Sequence, residues 1–159
     1  MHLIHLRHGN QAENFAGDDV RAGFLDGLAQ GGGGDVLIYV HGFKQTFETA
    51  ALDAAHLADG IKFRGQTMVF SWPSKAGLFD YAYDRESAMW SRDGFERVLQ
   101  SVVTTPGTAR VHIVAHSMGG LVTRSAQNND TQKGVLTRFG GPYMSGLYTI
   151  QQKSSGRFV

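Results

Sequence analysis

The chain has 159 residues, a net charge of +1 and no cysteine, which fits one domain with a buried core. It excludes disulfides, thiolate catalysis and Cys-ligated metals, and gives no general attraction for nucleic acid or an anionic membrane. Hydrophobic residues at 42% and charged residues at 18% describe a globular chain; with no signal-peptide pattern and no membrane-length apolar stretch, the expectation is a soluble cytoplasmic protein.

Residues 2–8 read as a short strand. The piece Arg7-His8-Gly9, with Asn14 downstream, resembles the opening motif of the histidine phosphatases. That resemblance implies a phosphorylated His8, a second histidine after a later strand, for which His116 is available, and further basic residues. The spacing of His2, His5 and His8 also suggests a metal site. Residues i and i+3 of a strand face opposite sides, so the three cannot converge on one ion. The favoured reading is an edge strand carrying solvated histidines, with no metal and no cofactor.

Val20, Phe24, Leu25 and Leu28 share one face of a short helix. Gly31-Gly32-Gly33-Gly34 then interrupts regular structure. The order helix, glycine, strand is wrong for a phosphate cradle, so the run is a connector. Val36–Val40 is a nearly continuous apolar run, as in a strand buried on both faces of a parallel sheet, and it ends in His41-Gly42-Phe43. Phe47, Ala50, Ala51, Ala54, Leu57 and Ile61 follow at helical spacing, with Thr46 as N-cap and Gly60 as stop.

Thr67–Trp72 is a second buried strand, closed by Pro73. Beyond it lies a polar and aromatic segment with Tyr81, Tyr83, Asp84-Arg85-Glu86 and Trp90. Phe95, Val98, Leu99, Val102 and Val103 then mark a helix, with Ser91 or Gly94 at its break and Ser91 able to cap it. Asp84-Arg85-Glu86 reads as a surface or structural ion pair. Residues 110–115 form a third strand that ends at Ser117, and a helical pattern starts at Leu121. After Asn128-Asn129-Asp130 the pattern weakens. Val135–Phe139 and Leu147–Ile150, around the turn-like Gly140-Gly141-Pro142, read as a hairpin or as a loosely ordered tail.

Strands alternating with helices predict an α/β fold with a mainly parallel sheet and right-handed crossovers. Sites in such sheets lie beyond the carboxyl ends of the strands. His41-Gly42-Phe43, Ser71-Trp72-Pro73 and His116-Ser117-Met118 therefore share one rim. Ala115-His116-Ser117-Met118-Gly119 is the G-x-S-x-G elbow with alanine at the first glycine. A sharp strand-to-helix turn of this kind exposes Ser117 as a nucleophile, with the Met118 amide facing the developing oxyanion. The Phe43 amide fits as the second donor, because Gly42 lets its loop approach closely.

Val36–Phe43, Val69–Ser74, Tyr83–Ser87 with Ser91-Arg92-Asp93, and Val111–Gly120 together resemble the α/β-hydrolases. The likeness is to a bacterial branch of uncharacterised hydrolase-like proteins and covers roughly residues 36–121. The resemblance implies a minimal α/β-hydrolase-type sandwich, Ser117 as nucleophile, the amides of Met118 and Phe43 as oxyanion hole, and hydrolysis of esters or related acyl groups. It also implies that Val36–Val40 lies between the other two strands. On this reading residues 1–159 form one domain: an N-terminal strand and connector (1–34), a hydrolase core (35–127) and a divergent or truncated C-terminal segment (128–159).

The α/β-hydrolase pattern places an acid and then a histidine after the nucleophile. No histidine follows His116, and Asp130 is the only Asp or Glu after Ser117. One resolution takes His41 as an internal base, since its strand should adjoin that of Ser117, with Asp84 as orienter. His116 is adjacent in sequence, but neighbouring side chains at an elbow should point apart, and His112 should sit too far from the rim. A second resolution brings a histidine such as His2, His5 or His8 from another copy, through an exposed sheet edge or a swapped segment in a homodimer. A third is a catalytically impaired scaffold that forms an oligomer. Phe43, Trp72, Phe79, Tyr81, Tyr83 and Trp90 are available to line an acyl pocket or to pack the core. The favoured expectation is a carboxylesterase-like serine hydrolase with Ser117 as nucleophile and His41 as base, acting on a small-molecule ester.

Overall fold

The structure is a computed structural model and describes residues 2–7, 11–15, 26, 30, 34–75, 80–123 and 146–151. The elements in chain order are β1 (His2–Arg7), β2 (Gln11–Phe15), β3 (Gly34–Val40), α1 (Phe47–Gly60), β4 (Gln66–Ser71), α2 (Tyr81–Trp90), α3 (Arg92–Thr104), β5 (Thr108–Ala115), α4 (Gly119–Thr123) and β6 (Gly146–Gln151). The sheet has the order β2-β1-β4-β3-β5-β6. Parallel pairing is confined to its centre, where β3 lies between β4 and β5 as the family resemblance implies. Strands β1 and β2 join antiparallel on one side and β6 on the other.

The apolar runs explain the layers. Successive residues of a strand face opposite sides. Val36, Ile38 and Val40 therefore meet Met68, Phe70, Val111, Ile113 and Ala115 on one face. There they bury Ala88 of α2, Phe95, Val98, Leu99, Val102 and Val103 of α3, and Val122 of α4. Tyr39, Val69 and Val114 face the other side, where Ala50, Ala54 and Leu57 of α1 cover them. Helices on both faces make this an α/β sandwich.

The helix boundaries follow local chemistry. Thr46 caps α1 through a reciprocal pair with Thr49, which satisfies two of the open amides of the first turn. Ser91 does mark the break between α2 and α3, but it does not cap α3. Its hydroxyl donates back to the Ser87 carbonyl at 2.8 Å. Ile61, expected on the apolar stripe of α1, is 56% exposed because the helix ends at Gly60.

The first strand is not an edge strand. It is flanked by β2 and β4, and β2 has no apolar alternation that announces it. Of the two short C-terminal strands expected, Leu147–Ile150 is found within β6 and pairs with β5, so the outer side of β5 is covered. Val135–Phe139, the turn at residues 140–142, the expected helix over 20–28 apart from the helical Asp26, and His8 and Phe79 lie outside the described residues. Among the described residues no helix is long and apolar enough to cross a membrane, and no group of three or more His, Asp or Glu side chains is placed to hold a metal ion.

Candidate active site

Val40, Phe70 and Ala115 lie in register, so the loops after β3, β4 and β5 leave the sheet at one level. The elbow is built on that rim. Ser117 has φ +51°, in the left-handed region. A residue with a Cβ adopts that conformation at a cost of about 1–2 kcal/mol, and such strain collects at sites where a side chain must be presented. The turn is held by the His116 amide donating to the Val40 carbonyl at 3.0 Å, and by the Gly119 and Gly120 amides donating to the carbonyls of His116 and Ser117.

Two glycines are required by space. A Cβ on Gly119 would stand 2.4 Å from the Val40 carbonyl oxygen and 2.7 Å from that of His41, so only glycine lets α4 start against the end of β3. A Cβ on Gly42 would stand 2.8 Å from His116 Nδ1 and 2.9 Å from Ser117 Cβ. The loop that carries Phe43 is thus packed directly against the elbow. Met118 is fully buried beside it, and Phe43 packs on the same core. Among the described residues neither the Phe43 nor the Met118 amide has a hydrogen-bond acceptor.

His41 is fully buried. Its Nδ1 is 2.9 Å from the Gly42 carbonyl, and its Nε2 receives the Trp72 amide at 3.1 Å and lies 3.2 Å from Ser71 Oγ. Nε2 also lies 3.2 Å from the Trp72 carbonyl, so both ring nitrogens stand within hydrogen-bond distance of backbone groups. The Trp72 indole donates to the His41 carbonyl at 2.8 Å. Burial holds the imidazole below the ordinary histidine range, against opposing contributions from the carbonyls of Gly42 and Trp72 and from Asp84. His41 is therefore a neutral ring with both nitrogens engaged between the ends of β3 and β4. On the other flank the loop is closed by Gln45, which accepts from the Gly42 amide at 3.1 Å and donates to Asp53 of α1.

Asp84 is fully buried rather than part of a surface ion pair. It accepts from the Ser74 hydroxyl and from the Lys75 amide at 2.9 Å. This joins the Ser-Trp-Pro-Ser segment to the Tyr-Asp-Arg-Glu-Ser segment, two stretches that sequence reasoning matched separately. Arg92 Nε donates to the Leu121 carbonyl at 2.9 Å, tying α3 to the helix that follows Ser117. The aromatic residues divide. Trp72 belongs to the core, Phe43 meets Tyr81 edge-on at 5.5 Å, Tyr83 lies under Lys75 Nζ at 3.9 Å, and Trp90 is 85% exposed on the far end of α2.

His112 faces the opposite end of β5, with Nε2 3.8 Å from Asp35 Oδ2. His116 is exposed. Its Nδ1 lies over Gly42, 2.8 Å from where a Cβ on that residue would stand.

Residues 18–134 match the family described as alpha/beta hydrolase of unknown function (DUF900). The chain belongs to this alpha/beta-hydrolase family. The match runs through the elbow, the His41-Gly42-Phe43 loop and the Ser74–Asp84 junction. No curated protein and no solved structure matches the chain.

Proposed function

We propose that this alpha/beta hydrolase is a serine hydrolase that cleaves small acyl esters through an acyl-enzyme on Ser117. The observation that carries the reading is the left-handed Ser117 at the strand-to-helix turn, packed against the Gly42–Phe43 loop. Ser117 Oγ attacks the ester carbonyl. The amides of Met118 and Phe43 receive the oxyanion, a contribution of about 3–4 kcal/mol per donor in well-formed holes. His41 serves this site by position. Its ring fastens the oxyanion loop to β4, and both of its nitrogens are already used, so proton transfer falls to another group.

A fluorophosphonate probe tests the reading, with mass spectrometry to locate the adduct. Ser117 is expected to be labelled, and p-nitrophenyl acetate or butyrate to be turned over in preference to p-nitrophenyl phosphate. Both activities should vanish in Ser117→Ala. Ester turnover that survives this substitution, or an unlabelled Ser117 in the folded native chain, overturns it. Phosphate turnover lost in His8→Ala instead supports a histidine phosphatase.

A further inference from the structure

We propose that Gln45 is a positioning residue for the oxyanion hole: held in place by Asp53 of α1, its side-chain amide fixes the Gly42 amide and so sets the direction of the Phe43 N–H. The proposal rests on the serine-hydrolase reading above. It starts from a weakness of the loop. Glycine has the widest choice of backbone angles, and position 42 must be glycine because a Cβ there would meet His116 and Ser117. The Phe43 N–H is therefore carried on the most pliable residue of the loop.

Hydrogen bonds remove that freedom. A peptide group is planar and trans, so holding one of its polar atoms orients the other. In the peptide between His41 and Gly42, the carbonyl accepts from the Trp72 indole at 2.8 Å and the N–H donates to Gln45 Oε1 at 3.1 Å. In the next peptide, the Gly42 carbonyl stands 2.9 Å from His41 Nδ1. The Phe43 N–H of that peptide points the opposite way and has no acceptor among the described residues. Both planes that meet at Gly42 are thus held, and Gln45 holds the first from the solvent side.

Gln45 is itself oriented. Its Nε2 donates to Asp53 Oδ2, which obliges Oε1 to be the atom that faces the Gly42 amide. Asp53 stands on α1, whose Ala50 and Ala54 are fully buried against the sheet, so the anchor is a rigid element. Lys44, left-handed at φ +62°, turns the chain so that Gln45 returns over Gly42. Tyr39 joins the same group. Burial pushes its hydroxyl above the ordinary tyrosine range and the Asp53 charge adds to this, while a hydrogen bond with Gln45 draws it back. His41 and Trp72 also pack the core, but Gln45 is only half-buried, so its effect on the Phe43 amide is separable from folding.

The test measures kcat and KM for p-nitrophenyl acetate, the rate of fluorophosphonate labelling and the urea midpoint in the full-length native chain, Gln45→Ala, Gln45→Glu, the double variant Gln45→Glu with Asp53→Asn, and Asp59→Asn as a control on the same helix. Losing an oxyanion donor outright costs about 10²- to 10³-fold, so a misdirected one should cost about 10- to 100-fold in kcat with KM little changed. Gln45→Glu should be slow, because it sets a second carboxylate against Asp53. Adding Asp53→Asn reverses donor and acceptor in that pair and should recover most of the lost kcat, which a merely structural role would not predict. Asp59→Asn should match the native chain. Unchanged kcat in folded Gln45→Ala, a change confined to KM or to the urea midpoint, or an equal loss in Asp59→Asn overturns the proposal. Should Gln45→Ala fail to fold, the remaining pair decides: a double variant no faster than Gln45→Glu alone overturns it. If native Ser117 is not labelled at all, the serine-hydrolase reading itself fails and takes this assignment with it.

Discussion

The imidazole of His41 lies face to face with the indole of Trp72, ring centroids 4.9 Å apart and planes 8° from parallel. The same two residues exchange two hydrogen bonds, from the Trp72 amide to Nε2 and from the Trp72 indole to the His41 carbonyl. This pair fastens the loop after β3 to the end of β4, and that loop carries Phe43. A buried polar ring is tolerated only because its donor and acceptor are both satisfied.

Removing that ring should be costly and pH-dependent. His41→Ala strands the Trp72 amide and the Gly42 carbonyl and leaves a cavity, so a loss of about 3 kcal/mol in urea unfolding is expected; His41→Gln should lose less. Folded His41 binds its proton less tightly than the ordinary value of 6.5, so the unfolded chain is protonated first as pH falls. The stability it contributes is full above that value and declines as pH drops through it, at up to about 1.4 kcal/mol per pH unit for one group. His112 is shifted in the same direction, chiefly by burial. Urea midpoints measured from pH 8 to pH 5 should fall on the acid side in the native chain and fall less steeply in His41→Gln.

Ser117 should show opposite demands of presentation and stability. Its left-handed φ of +51° suits glycine, so Ser117→Gly should gain about 1 kcal/mol of stability while losing fluorophosphonate labelling. Ser117→Ala loses labelling as well but keeps the strain, and no comparable gain is expected. Paired thermal melts of the two variants decide the point. Equal stabilities would mean that the elbow carries no strain.

Asp84 should matter for folding more than its exposed neighbours Arg85 and Glu86. Asp84→Ala leaves the Ser74 hydroxyl and the Lys75 amide without their acceptor, and a loss of about 2–3 kcal/mol is expected. Arg85→Ala should stay within about 0.5 kcal/mol of the native chain. A double-mutant cycle between Asp84→Ala and Ser74→Ala should show coupling, because the two side chains share one hydrogen bond.

The central fold is legible where one residue type repeats at one period. Val36–Val40 and Thr67–Trp72 read as buried strands, residues 110–115 as a third strand, and Phe95 to Val103 as a helix, because burial imposes those patterns on the chain itself. Gln11–Phe15 has no such pattern and is a strand only because β1 lies beside it. That pairing also turns β1 from an expected edge into an interior strand. The Asp84-Arg85-Glu86 run shows the same limit. Charge suggests a surface, yet the helix turns one carboxylate inward, where Ser74 and Lys75 make its burial affordable.

The histidines divide along this line. Sequence alone determined that Ser117 stands on an elbow and that the ends of β3, β4 and β5 share a rim, because both follow from strand, glycine and helix order along the chain. It did not determine which histidine is free. That depends on partners distant in sequence: Ser71 and Trp72 occupy His41, Asp35 lies beside His112, and Gly42 leaves room for His116. Only the packing of β3 between β4 and β5 brings these groups together, since hydrogen-bond partners are chosen by distance in space and not by spacing along the chain.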